Sequence, residues 1–196
     1  MDKKRVFVVH CWDGKIEDGW YPWLKNLLEE KGVSVVMENM PNTEAPAIEE
    51  WVSKLDSLIG VLDEDVYFIG HSIGCQTILR YLDSKKEISR IGGILFVAPW
   101  LDLLPAALGD GGDEVAKPWL ETPINFDKIK RFTDNITCIF SDNDYFVSPK
   151  QEKEFKDKLN ANTVVIADKG HISGEDGVTE LPIIWQKTNE MLGGKV

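Results

Sequence analysis

The residues of this 196-residue chain best suited to chemistry are the consecutive five Gly70-His71-Ser72-Ile73-Gly74. They lie directly after the apolar run Val66–Ile69 and directly before an apolar-periodic stretch that begins near Cys75. A tight strand-turn-helix of this kind lifts a serine clear of the backbone at the C-terminal edge of a sheet. Glycines at 70 and 74 give the turn room where the chain folds back on itself. The helix N-terminus behind Ser72 favours the negative charge of an acyl-transfer transition state. The alternative is a chance Gly-x-Ser-x-Gly in a loop, and the position between strand and helix speaks against it.

A serine hydroxyl is a weak nucleophile and needs a general base, for which the chain offers only His10, His71 and His171. The His71 side chain leaves the turn in a different direction from its neighbour Ser72. His10 ends the first strand at the same sheet edge but precedes the serine. His171 follows the run Thr163–Ala167 across Asp168-Lys169-Gly170, which puts it at the C-terminal edge and after the serine, so it is the expected base. A carboxylate between the two in sequence should orient it. Asp142 and Asp144 both follow the run Ile136–Ser141, and Asp144 is preferred because Asp142, one residue past the strand, is better placed to shape the turn. Asp102 is an outside candidate.

Two backbone N–H groups must face the developing oxyanion. Ile73 supplies one, and the loop His10-Cys11-Trp12-Asp13-Gly14 the other, with the Trp12 N–H expected and Cys11 as alternate. The Cys11 thiol beside His10 is also weighed as a nucleophile in its own right. Trp100, Trp119 and Phe126 fall in an irregular segment, 98–135, and are expected to line an acyl pocket. Trp20, Trp23 and Trp51 sit on apolar helix faces and read as core. No residue pattern calls for a metal or cofactor.

These residues need a scaffold, and the periodicity supplies one. Strand runs at Arg5–Val9, Val33–Met37, Val66–Ile69, Ile91–Val97, Ile136–Ser141 and Thr163–Ala167 alternate with helical stretches. The helices are carried by Trp20 to Leu28, Ile48 to Ile59, Cys75–Leu82, Lys150–Leu159 and Leu181–Met191, with Phe126–Phe132 as a possible short one. Apolar runs on both sides of each helix mean strands buried on both faces, as in a parallel sheet flanked by helices. The length and absence of any composition shift give one α/β domain over residues 1–196.

Twenty-two basic against thirty-three acidic residues leave a net charge of −11, which argues against nucleic acid or a membrane surface as partner and favours neutral or cationic substrates. Three cysteines, Cys11, Cys75 and Cys138, without CxxC spacing indicate neither a disulfide framework nor a zinc site. With no apolar N-terminal run long enough for a signal-peptide core, a cytoplasmic location is expected.

Several segments go beyond a generic α/β pattern: His10-Cys11-Trp12, Gly19-Trp20-Tyr21-Pro22-Trp23-Leu24, Asn39-Met40-Pro41-Asn42, Gly70 through Cys75, Ser141-Asp142-Asn143-Asp144 and Gly170-His171. Together they resemble the small serine-hydrolase family of the retinoblastoma-binding protein 9 and bacterial YdeN type. The resemblance implies a minimal α/β-hydrolase fold, a mostly parallel sheet of about six strands with no separate cap domain, and Ser72, Asp144 and His171 as catalytic triad. Related hydrolases commonly carry His-Gly where this chain has His10-Cys11, so a Cβ stands beside the oxyanion position. The expected activity is cleavage of a small carboxylic ester or related acyl compound in a shallow pocket. The contrasting reading is a non-catalytic ligand- or protein-binding module on the same scaffold.

Overall fold

The computed structural model describes residues 3–109 and 111–194. Six strands, β1 (Arg5–Val9), β2 (Ser34–Met37), β3 (Val66–His71), β4 (Gly93–Val97), β5 (Ile136–Ser141) and β6 (Asn162–Ile166), form one sheet in the order β2-β1-β3-β4-β5-β6. Every pairing is parallel, so the sheet is wholly rather than mostly parallel. All strands therefore end on one edge, and the loops carrying the expected chemistry leave from it. The strand order reverses between β1 and β3, where the chain departs in opposite directions and opens a crevice.

The helices follow the apolar periodicity: α1 (Tyr21–Glu30), α2 (Ile48–Ile59), α3 (Ile73–Ser84), α4 (Gly112–Glu121), α5 (Phe126–Ile129), α6 (Gln151–Leu159) and α7 (Pro182–Met191). Alternate strand residues point to opposite faces. Phe7, Phe68, Phe96 and Phe140 meet Trp51 and Leu55 of α2, Leu79 of α3 and Phe155 of α6 on one side. Val6, Val8, Ile69, Leu95 and Ile139 meet Leu24 and Leu28 of α1 and Ile184 of α7 on the other. Trp20 and Trp51 are core residues as expected, and Trp23 is half-buried against the second cluster.

The segment 98–135 is more ordered than its Gly and Pro content suggests. It holds a 3-10 turn, Pro105–Leu108, and the helices α4 and α5. Helix α4 contains Pro118, and Ala116 and Trp119 on its inner face are buried. Arg80 of α3 fastens its end by donating from Nη2 to the Thr122 carbonyl at 3.0 Å and to that of Trp119. Among the described residues no separate cap domain stands over the sheet edge. Among the described residues no helix is long and apolar enough to cross a membrane.

Candidate active site

The turn from β3 into α3 brings Ser72 to φ +54°, ψ −117°, a conformation that L-residues seldom adopt. Its glycines are required by contact. A Cβ on Gly74 would stand 2.3 Å from the Val9 carbonyl oxygen, and one on Gly70 would stand 2.8 Å from the Cys75 nitrogen. The strained turn is held by Ser72 N–H donating to Val97 O at 2.9 Å.

Ser72, His171 and Asp144 come together from three separate loops. Ser72 Oγ lies 2.8 Å from His171 Nε2, and His171 Nδ1 lies 2.8 Å from Asp144 Oδ2. All three are buried, at 6, 6 and 7 % exposure, so their contacts are largely shielded from competing water. The other Asp144 oxygen, Oδ1, accepts the Phe146 and Val147 backbone N–H groups at 2.8 and 3.0 Å, which fixes the carboxylate before it meets the histidine. Asp142 instead accepts the Asp168 N–H at 3.0 Å, and Asn143 Oδ1 accepts that of Gly170 at 2.9 Å. These two shape the approach to His171. Asp102 accepts the N–H of its neighbour Leu103 at 2.9 Å.

The other two histidines are structural neighbours of the site. His10 is fully buried, with Nε2 accepting the Met40 N–H at 2.9 Å and Nδ1–H donating to Cys11 O at 2.8 Å. Burial holds its pKa below the usual value. His71 donates from Nε2 to the His171 carbonyl at 2.9 Å and accepts at Nδ1 from the Tyr21 hydroxyl at 2.6 Å. Desolvation lowers its pKa to about 4, so the ring is neutral. The Tyr21 hydroxyl oxygen in turn accepts the Cys11 N–H at 3.1 Å. A buried relay thus runs from the loop after β1 through α1 and β3 to the backbone of His171. Nothing local in the sequence announces it, because its partners are 50 and 100 residues apart.

That relay corrects one expectation. With its N–H taken by Tyr21, Cys11 is not available as the alternate oxyanion donor. The Trp12 and Ile73 N–H groups have no hydrogen-bond partner among the described residues. Burial raises the pKa of the Cys11 thiol, which disfavours the thiolate. Cys75 and Cys138 are fully buried.

A cleft of about 840 Å³ opens over Ser72. Its volume is within the range of about 300–1,000 Å³ that holds small-molecule ligands. Trp100 lines it, together with Trp12, Leu103, Val115 and Phe146. Trp119 and Phe126 do not line it. The indole N–H of Trp119 donates to Pro46 O at 2.8 Å and its ring meets Trp51 edge-on, while Phe126 packs half-buried on the core. Both side chains lie on the inward faces of their helices, which the sequence concealed by giving no clear period there.

The sequence matches the serine hydrolase family model over residues 6–190. The chain belongs to the serine hydrolase family. Among its relatives, the YdeN protein of Bacillus subtilis (strain 168) is 28 % identical over 182 residues, which span 93 % of each chain. Serine hydrolase RBBP9 of Rattus norvegicus is 27 % identical over 161 residues, 81 % of this chain and 80 % of that one. The crystal structure of the ydeN gene product superposes with a TM-score of 0.89 at 27 % identity, covering 97 % of this serine hydrolase and 100 % of the other chain. Est1E from Butyrivibrio proteoclasticus shares the fold, with a TM-score of 0.69 at 17 % identity over 96 % of this chain and 89 % of its own. The resemblance read from the sequence motifs is thereby borne out, and with it the α/β-hydrolase fold.

Proposed function

We propose that this serine hydrolase cleaves small carboxylic esters or related acyl compounds through an acyl-enzyme on Ser72. The observation that carries the reading is the pair of 2.8 Å contacts linking Ser72 Oγ, His171 and Asp144 Oδ2. Ser72 Oγ attacks the carbonyl carbon as its proton passes to His171 Nε2. Asp144 holds the Nδ1–H tautomer and stabilises the imidazolium that forms. The Ile73 and Trp12 N–H groups receive the oxyanion. His171 then protonates the leaving group, and water deacylates Ser72 with the same histidine as base.

Labelling with a fluorophosphonate tests this directly. Wild-type protein should react and the Ser72→Ala variant should not, and the wild type should turn over a short aryl ester. Equal labelling of the two proteins, or none of either, would overturn the reading and leave a binding module on a hydrolase scaffold.

A further inference from the structure

Ser72 Oγ has a second buried neighbour besides His171. The indole Nε1 of Trp100, just past β4, lies 3.3 Å from it, and Trp100 is 1 % exposed. The peptide that follows Trp100 is held at both its carbonyl and its N–H. Gln76 of α3 donates from Nε2 to the Trp100 carbonyl at 2.7 Å, and the next N–H, that of Leu101, donates to Gln151 Oε1 of α6 at 2.7 Å. Both glutamines are buried, and Gln76 Oε1 has no partner of its own among the described residues, so holding Trp100 is what its amide does there.

An indole N–H can only donate, whereas a serine hydroxyl carries one proton and two acceptor lone pairs. With Trp100 donating to Oγ, the hydroxyl proton has one remaining partner, His171 Nε2 at 2.8 Å. We propose that the Trp100 indole N–H is a catalytic group, donating to Ser72 Oγ so that the hydroxyl proton is aimed at His171 and Oγ is stabilised when it departs from the acyl-enzyme. This rests on Ser72 being the nucleophile. In acylation the Oγ–C bond forms while the O–H bond breaks and its proton moves to Nε2. The indole proton is not transferred. In deacylation the C–Oγ bond breaks with its electron pair going to Oγ, and the indole N–H supports that charge until His171 returns the proton.

The test replaces Trp100 by 3-benzothienylalanine, which keeps the bicyclic shape and lacks the N–H, alongside the simpler Trp100→Phe. Loss of one hydrogen bond to a charge-bearing oxygen predicts a roughly ten- to hundredfold fall in fluorophosphonate labelling rate and in kcat for an aryl ester, with no rise in KM. In wild-type protein the indole N–H NMR signal that both replacements remove should move when Ser72 is phosphonylated. Wild-type rates in the benzothienylalanine protein, or an indole signal indifferent to phosphonylation, would overturn the proposal while leaving the Ser72 reading intact. Equal labelling of wild type and Ser72→Ala would remove both.

Discussion

Asp144 uses its two oxygens differently, and the difference predicts what a single-atom change does. Two backbone N–H groups require an acceptor at Oδ1, so an asparagine here must place its amide nitrogen where Oδ2 faces His171 Nδ1. That turns the histidine to the tautomer with a proton on Nε2, which cannot take the serine's. Asp144→Asn should therefore lower kcat/KM for an aryl ester by about three to four orders of magnitude with the urea midpoint little changed. Asp142→Asn keeps an oxygen for the Asp168 N–H and should stay within about tenfold of wild type. The reverse pattern would make Asp142 the acid. That Ser72, Asp144 and His171 meet at one sheet edge was legible because chain order and position after a strand are sequence properties. The roles of Tyr21 and His71 were not, since they depend on which side chains meet across the sheet edge.

At the scale of elements, the turn between β3 and α3 is fixed by how closely α3 approaches the end of β1. Gly74→Ala drives a Cβ into two backbone carbonyls, Val9 O at 2.3 Å and His10 O at 2.8 Å, and neither can give way alone. It should cost at least about 3 kcal/mol by urea denaturation and abolish labelling, whereas Gly109→Ala, with nothing within 4 Å of the added Cβ, should stay near wild type. Helix α1 contributes through its first residue. Tyr21→Phe strips the Cys11 N–H of its acceptor and His71 of its donor, and should cost about 1–3 kcal/mol and lower kcat more than it changes KM. The strands and most helices could be read from apolar periodicity. Helix α4 could not, because Gly111 and Gly112 at its start and Pro118 inside it are the residues that ordinarily mark a loop.

For the molecule as a whole, the buried histidines make stability depend on pH. In the unfolded chain His71 takes up a proton near pH 6.5, but in the folded protein it does so only near pH 4. The unfolded state binds the extra proton between those limits, so stability is full above about pH 6.5, falls as pH drops towards 4, and levels below it. The loss from His71 alone amounts to about 3 kcal/mol, and His10 adds in the same direction. Urea midpoints followed from pH 7 to pH 4 should show the decline, and a His71→Gln variant should flatten it. The charge of the chain also reaches the cleft, where Asp13, Glu17, Asp18, Glu44 and Glu175 contribute to the lining and no described lysine or arginine does. Cationic aryl esters should be turned over with a higher kcat/KM than anionic ones of equal reactivity, and the ratio should shrink as salt rises towards about 1 M. One further consequence follows from the moorings of the loop that carries His171. The His71 ring holds the His171 carbonyl, and the Trp20 indole N–H holds that of Ile172 at 3.0 Å. Both anchors belong to the interior, so the loop has no inexpensive opening of its own. On heating, catalysis should quicken until the sheet itself melts, with no temperature window in which the protein is folded yet silent.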